Sequence, residues 1–169
     1  SFSSKIGLFI SNAVTVEKFM KHSGSCICGN YRFETELDPM LIIQCNCTKC
    51  RKLSGSYQIG CLYSVSEIED TGETASYSFE GGSGYLNTVH FCTQCHVRCK
   101  TNPAPEVMEG IVGIPLGIFD TAKELSPKAE IWTSEKLPFL KTDDCIVESF
   151  EDSGIVERLT ALLETLESR

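Results

Sequence analysis

Three short clusters, Cys26 with Cys28, Cys45 with Cys47 and Cys50, and Cys92 with Cys95, hold seven of the ten cysteines at the spacing of thiolate metal ligands. Zn²⁺ takes four such donors in a tetrahedral array at about 2.3 Å. Two pairs complete one shell, whereas a group of three leaves one position to be filled.

In an extended chain, residues i and i+2 point to the same side, so Cys26 and Cys28 can serve one metal from a single strand end. Gly29 lets the backbone bend away behind them. Cys92 and Cys95 have the spacing of a metal knuckle, a tight turn that aims two sulfurs inward. The expectation is one structural zinc on Cys26, Cys28, Cys92 and Cys95, stapling the N-terminal strand to a later hairpin. Unrelated buried thiols or disulfides are the competing reading, and paired spacings of this kind argue against it.

In the second group Cys45 and Cys47 share a strand face and Cys50 comes round a turn. Three thiolates on Zn²⁺ carry a net charge of −1, and an open fourth position suits an incoming sulfur. The metal would keep that thiol deprotonated near neutral pH. Cys45, Cys47 and Cys50 are therefore the candidate catalytic residues. A fourth protein donor, from Cys61, Cys99, His90 or His96, would instead close the site and make it structural. Arg51, Lys52 and Ser54 follow immediately, and the two cations could seat the carboxylates of a peptide-like thiol. The alternative for them is an ordinary solvated surface.

The elements that must position these sulfurs read as mainly β. Residues 31–34, 57–63 and 75–79 alternate as half-buried strands, and 86–91, 110–114 and 129–132 are further strand candidates. Residues 81–84 (Gly-Gly-Ser-Gly) form a turn, 102–105 a loop, and 118–128 a surface excursion. Ser153 or Asp152 can cap a C-terminal amphipathic helix with Ile155, Leu159, Leu162, Leu163 and Leu166 on one face. Tyr57, Tyr63, Phe79 and Trp132 are assigned to packing although they could line a cavity, and Cys61 and Cys145 to small buried hydrophobes. The organisation expected is an N-terminal arm over 1–21, a zinc-binding β domain over 22–150 and the helix over 151–169.

The 169 residues suffice for one domain with a core, and no run of eighteen apolar residues spans a bilayer. The formal charge is −8; seven thiol protons lost and four charges gained from two Zn²⁺ take it to −11. Such a field repels nucleic acid and anionic lipid, so neither is an expected partner. Metal-like cysteine spacing without an evident secretory leader points to a reducing, cytoplasmic location. The first sixteen residues, with Lys5, several serines and no acid, faintly resemble a transit peptide.

From about His22 to Leu140 the chain resembles the glutathione-dependent formaldehyde-activating enzyme family, also known as the centromere-protein-V domain family. The resemblance is carried by Gly24-Ser25-Cys26-Ile27-Cys28-Gly29 with Tyr31-Arg32-Phe33, by the run from Cys45 through Cys50 to Arg51-Lys52-Leu53-Ser54-Gly55, and by Phe91-Cys92-Thr93-Gln94-Cys95. Ile131-Trp132 and Lys136-Leu137-Pro138-Phe139 are similar to its closing segment. It implies a zinc-stapled fold of two facing β-sheets, a structural zinc on Cys26, Cys28, Cys92 and Cys95, and a catalytic-type zinc on Cys45, Cys47 and Cys50. It also implies chemistry that joins glutathione to formaldehyde or splits the adduct, a carbon–sulfur lyase reaction. His96 departs from the pattern, standing where the family has Gly.

The leading expectation is thus a zinc-dependent carbon–sulfur lyase or thiol–aldehyde adduct enzyme whose partners are a small thiol such as glutathione and an aldehyde. A non-catalytic zinc module that binds protein is the alternative, as is a lyase for a larger thiol adduct. A cavity beside Cys45, Cys47 and Cys50 would separate an enzyme from a binding module, which needs only a surface.

Overall fold

The computed structural model describes residues 19–154 together with Thr160 and Glu164. The expected N-terminal arm, up to residue 18, and the apolar face of the expected C-terminal helix lie outside the described residues; Thr160 and Glu164 are both helical. Eleven strands are described: β1 (His22–Ser25), β2 (Arg32–Thr35), β3 (Leu41–Cys45), β4 (Gln58–Ser64), β5 (Glu69–Thr71), β6 (Thr74–Glu80), β7 (Leu86–Cys92), β8 (Arg98–Asn102), β9 (Ile111–Pro115), β10 (Ala129–Ile131) and β11 (Glu148–Ser149). Two short helices, α1 (Thr48–Ser54) and α2 (Pro105–Met108), interrupt them. The fold is mainly β, as the alternating runs predict, and has the two sheets that the resemblance implies.

The small sheet has the order β1-β2-β5 and the large one β11-β10-β3-β4-β9-β8-β7-β6. All pairings are antiparallel except those of β10, which runs parallel to both β3 and β11. β3 and β4 are central and covered on both faces, which is why Leu41-Ile42-Ile43 reads as a continuous apolar run rather than an alternating one. Ile42, Cys61 and Tyr63 point toward the small sheet and pack with Phe33 of β2 and with Tyr31 just before it. Leu41, Ile43 and Leu62 point the other way, toward Met108, Ile111 and Ile131. The period-2 geometry of two neighbouring strands therefore divides a sealed core from a second apolar face. Among the described residues no helix is long and apolar enough to cross a membrane.

Two expectations are corrected. β6 is a strand, but as the outer strand of the large sheet it is mostly exposed rather than half-buried, with Tyr77 in solvent. Residues 118–128 are not simply a surface excursion, because Phe119 is buried and plugs the core edge-on to Phe33 at a centroid distance of 4.7 Å. A burst of irregular backbone carries it there, and no periodicity marks such a residue in advance.

The closing segment is tied down by a buried carboxylate. Glu130, 1% exposed, accepts from Lys136 Nζ at 2.7 Å, Thr142 Oγ1 at 2.6 Å and Ser149 Oγ at 3.0 Å. Burial alone would raise its pKa, but these donors, Lys136 foremost, hold it below the ordinary 4.5. A carboxyl depressed in the folded state stabilises the fold above its unfolded pKa, and that contribution fades as pH falls through the lower folded value. Glu130→Ala leaves Lys136 buried without its partner and should cost about 3 kcal/mol at pH 7. Urea denaturation should show that deficit shrinking below about pH 4.5 as the wild-type carboxyl is protonated.

Candidate metal centres and the cavity beside them

β1 delivers Cys26 and Cys28 just past its end, and the chain turns at Gly29, whose φ of 74° is left-handed and whose N–H donates to the Cys26 carbonyl at 3.0 Å. β7 ends on Cys92, and the β7–β8 turn presents Cys95. The four sulfurs all lie within 4.8 Å of one another. Cys26 to Cys28 is 3.5 Å and Cys28 to Cys92 is 3.6 Å. Sulfurs at the corners of a tetrahedron around zinc stand about 3.8 Å apart for a 2.3 Å bond, so the group fits the ion.

Backbone N–H groups are turned toward these sulfurs. Tyr31 N donates to Cys26 Sγ at 3.3 Å, and Gln94 N and Cys95 N donate to Cys92 Sγ at 3.4 and 3.5 Å. Donors of this kind favour a thiolate, and the Cys95 N–H foremost holds Cys92 down at about 6. All ten cysteines are free thiols.

The second group is built where β3 passes into α1. Cys45 is the last residue of β3, Cys47 caps α1 by accepting from Cys50 N at 3.3 Å, and Cys50 sits in the helix. The turn expected around Cys50 is thus a helix of two turns. Its sulfur cap is supplemented by Glu135, which accepts from Thr48 N at 2.5 Å and from Thr48 Oγ1 at 2.8 Å. Asn46 is buried between the first two cysteines and locks them to β10: its N and Nδ2 both donate to the Ile131 carbonyl at 3.1 Å. The three sulfurs again lie within 4.8 Å, which makes this group too a set that could hold zinc. Its thiols share hydrogen bonds, Cys45 and Cys50 donating toward Cys47, so that the Cys47 sulfur is held low and Cys45 is pushed up.

None of the candidate fourth donors joins this trio. Among the described residues, no further His, Cys, Asp or Glu offers an atom within the group's span. Cys61 and Cys99 are fully buried in the core, where burial pushes the Cys99 thiol up to about 12. His90 Nε2 is hydrogen-bonded to Asn102 Oδ1 at 2.9 Å, and His96 is exposed.

A cation does face the trio, although it is none of the expected ones. Arg98, at the start of β8, is largely buried; burial lowers its pKa, while Cys50 and Cys45 raise it. Its Nη1 donates to Gln58 Oε1, and Gln58 is the register partner of Cys45. Its Nε is buried with no hydrogen-bond partner. Arg51, by contrast, donates to the Glu135 carbonyl at 3.4 Å, Lys52 is exposed, and the Ser54 hydroxyl is spent on the carbonyls of Cys50 at 2.8 Å and Tyr57 at 2.6 Å.

The trio opens on a cavity of about 540 Å³. Its walls are the second apolar face of the sheet, with Ile43, Leu62 and Ile131, closed by Leu53, Val107 and Met108 and by the aromatics Phe79, Tyr85 and Trp132. Gln58, Asn87 and Thr101 contribute uncharged polar groups, and Thr101 Oγ1 is buried without a partner. Arg51, Lys52 and Ser54 do not line it. Of the four aromatics assigned to packing, Phe79 and Trp132 are therefore cavity walls, Tyr63 is core, and Tyr57 lines no part of the cavity. Cys61 is a buried hydrophobe as expected, whereas Cys145 is only partly buried, outside the core. Arg98, Asn46 and Glu135 are the neighbours of the trio that the sequence did not reveal; Asn46, a polar residue between two ligand-spaced cysteines, was the one visible hint.

The sequence model of the family described as glutathione-dependent formaldehyde-activating enzyme matches residues 21–135. No curated protein matches the chain. Among solved structures, a Rhodobacter sphaeroides protein from structural genomics is similar at 19% identity and a TM-score of 0.47, covering 76% of this chain and 98% of that one.

His96 follows the last cysteine of the first group with φ 60°, and its N–H donates to the Cys92 carbonyl at 3.0 Å. The turn thus keeps the left-handed conformation that glycine adopts freely, at a cost to a residue with a side chain of about 1–2 kcal/mol. His96→Gly should recover part of this, the flexible unfolded chain taking back the rest, for a net gain of about 0.5–1 kcal/mol. Calorimetry should show a melting temperature raised by about 1–4 °C.

Proposed function

The chain belongs to the glutathione-dependent formaldehyde-activating enzyme family, and from that premise we propose that it is a zinc-dependent carbon–sulfur lyase that makes or splits thiol–aldehyde adducts. The reading is carried by one observation: the three-sulfur group of Cys45, Cys47 and Cys50 has no fourth donor among the described residues and faces a cavity of about 540 Å³. A closed structural site has no need of such a space, and a module that only binds protein has no need of it either.

In this reading Cys26, Cys28, Cys92 and Cys95 hold a structural zinc and Cys45, Cys47 and Cys50 a catalytic-type zinc, which would keep a substrate thiol ionised at neutral pH. The chain's own residues do the rest. Asn46 and Glu135 fix the β3–α1 junction so that three sulfurs converge. Arg98, whose charge is felt by Cys45 and Cys50, would offset the negative charge of a three-thiolate zinc centre. Gln58, Asn87 and Thr101 are the uncharged polar residues on the cavity wall. In the forward reaction a carbon–sulfur bond forms between thiol and carbonyl carbon, and the thiol proton ends on the former carbonyl oxygen. Cleavage is the reverse, with formaldehyde and glutathione as the pair the family description names.

X-ray absorption on the zinc-loaded protein should give about 3.5 sulfurs per zinc, with one exchangeable light-atom ligand at the second ion, rather than the four of two closed shells. A complete protein sulfur shell, or no second zinc under metal-replete conditions, overturns the reading. Arg98→Ala should weaken retention of the second zinc about 10–100-fold and leave the first unchanged. Chelator competition that resolves two classes of zinc measures this directly.

A further inference from the structure

Glutathione carries two carboxylates and an ammonium, and a site built for it supplies charged partners. The cavity beside Cys45, Cys47 and Cys50 supplies none: among the described residues no Lys, Arg, His, Asp or Glu side chain lines it. None of the cations near the trio, Lys49, Arg51, Lys52 or Arg98, lines the cavity. Lys49 donates to the Glu80 carbonyl, Arg51 to the Glu135 carbonyl, and Arg98 to Gln58 while facing the sulfurs of Cys50 and Cys45. A carboxylate carried into this space would lose its water and find no counter-charge.

The walls are instead largely apolar. Trp132 is held in a left-handed backbone conformation, φ 58°, that a bulky residue adopts only under constraint. Its N–H donates to the Asp152 carbonyl at 2.8 Å, and its carbonyl accepts from Glu135 N at 3.1 Å. The indole lies so close over Gly82 that a Cβ there would stand 2.5 Å from Trp132 Cζ2. Strain of this kind is costly and persists here because the surrounding contacts hold it. Phe79 and Tyr85 supply two further ring surfaces.

We infer that the thiol this chain handles is uncharged and carries an apolar group of aromatic size, seated among Trp132, Phe79 and Tyr85 with its sulfur toward Cys45, Cys47 and Cys50. This rests on the proposed function, since it fills the same site, and it separates this chain from the tripeptide thiol in the family's description. Its adduct would be the hemithioacetal of such a thiol with an aldehyde. Cleavage breaks the carbon–sulfur bond, returns the carbonyl and moves the hydroxyl proton to the thiol. Gln58, Asn87 and Thr101 are the uncharged polar residues lining the space that the adduct oxygen would occupy.

The test is calorimetric titration of the zinc-loaded protein with benzyl mercaptan, with its para-carboxylate derivative, and with glutathione. Benzyl mercaptan should bind at least tenfold more tightly than either charged thiol. Phe79→Ala, on the exposed outer strand, should weaken benzyl mercaptan about tenfold and leave glutathione unchanged. Glutathione or the carboxylate derivative binding as tightly as benzyl mercaptan overturns the inference while leaving the lyase reading standing. Binding of none of the three overturns both.

Discussion

Four sulfurs drawn from two different sheets within 4.8 Å of one another are the constraint around which the rest of the molecule is arranged. Cys26 and Cys28 leave the small sheet at the end of β1, and Cys92 and Cys95 belong to the β7–β8 turn of the large one. Sixty-odd residues of intervening chain must return to close that loop, at an entropic cost that grows only slowly with its length. Like-charged thiolates at this distance repel strongly, so a cation or retained protons must hold them. The N–H groups of Tyr31, Gln94 and Cys95 are already turned to the sulfur side. Around this point the aromatic packing of Tyr31, Phe33, Tyr63 and Phe119 seals one face of the large sheet.

Among the described residues, the other face of the same sheet is covered by less, chiefly α2 and β10. Strict alternation along β3 and β4 sends Ile42, Cys61 and Tyr63 into the sealed core and Leu41, Ile43 and Leu62 toward the opposite side. There Met108 from α2 and Ile131 from β10 cover only part of the apolar surface, and the remainder becomes the cavity wall. The trio sits at its floor because β3 ends on Cys45 at the point where Ile131 of β10 and Gln58 of β4 are its register partners. Location of the site is thus a consequence of strand order. A one-residue slip of β3 would turn Cys45 away from the cavity and Ile42 out of the core.

What was legible beforehand follows the range of the interactions involved. Ligand spacing is local chemistry, so both sulfur groups could be read from Cys26 to Cys95 without knowing the fold. Alternation is local too, and it located β2, β4 and β6. β3 was missed because a strand buried on both faces does not alternate. α1 was missed because its seven residues have no apolar periodicity, and it is held instead by the Cys47 sulfur and the distant Glu135 carboxylate. Arg98 could not be found for the same reason: the pairing of Phe91 with Arg98 across a bulged hairpin, not its neighbours in sequence, brings it to the trio. Arg51 and Lys52 drew attention by adjacency to Cys50, yet a helix turns residues one and two positions on away from the face that Cys50 presents.

The charge placement around the trio and the character of the cavity are one problem in electrostatics. A three-thiolate centre with Zn²⁺ bears one negative charge, and burying an isolated charge costs several kcal/mol unless a partner shares its low-dielectric surroundings. Arg98 would be that partner, an ion that stays charged where a lysine would tend to give up its proton. Its fork reaches Gln58 on one side and the field of Cys45 and Cys50 on the other. With zinc bound, the three thiolates and Arg98 would sum to zero before a substrate thiolate arrives, so a carboxylate carried in beside it would meet no spare positive charge. An uncharged wall of Phe79, Tyr85 and Trp132 is compatible with such a centre, and Arg98, held by Gln58, does not line the cavity as a cation placed to grip carboxylates would.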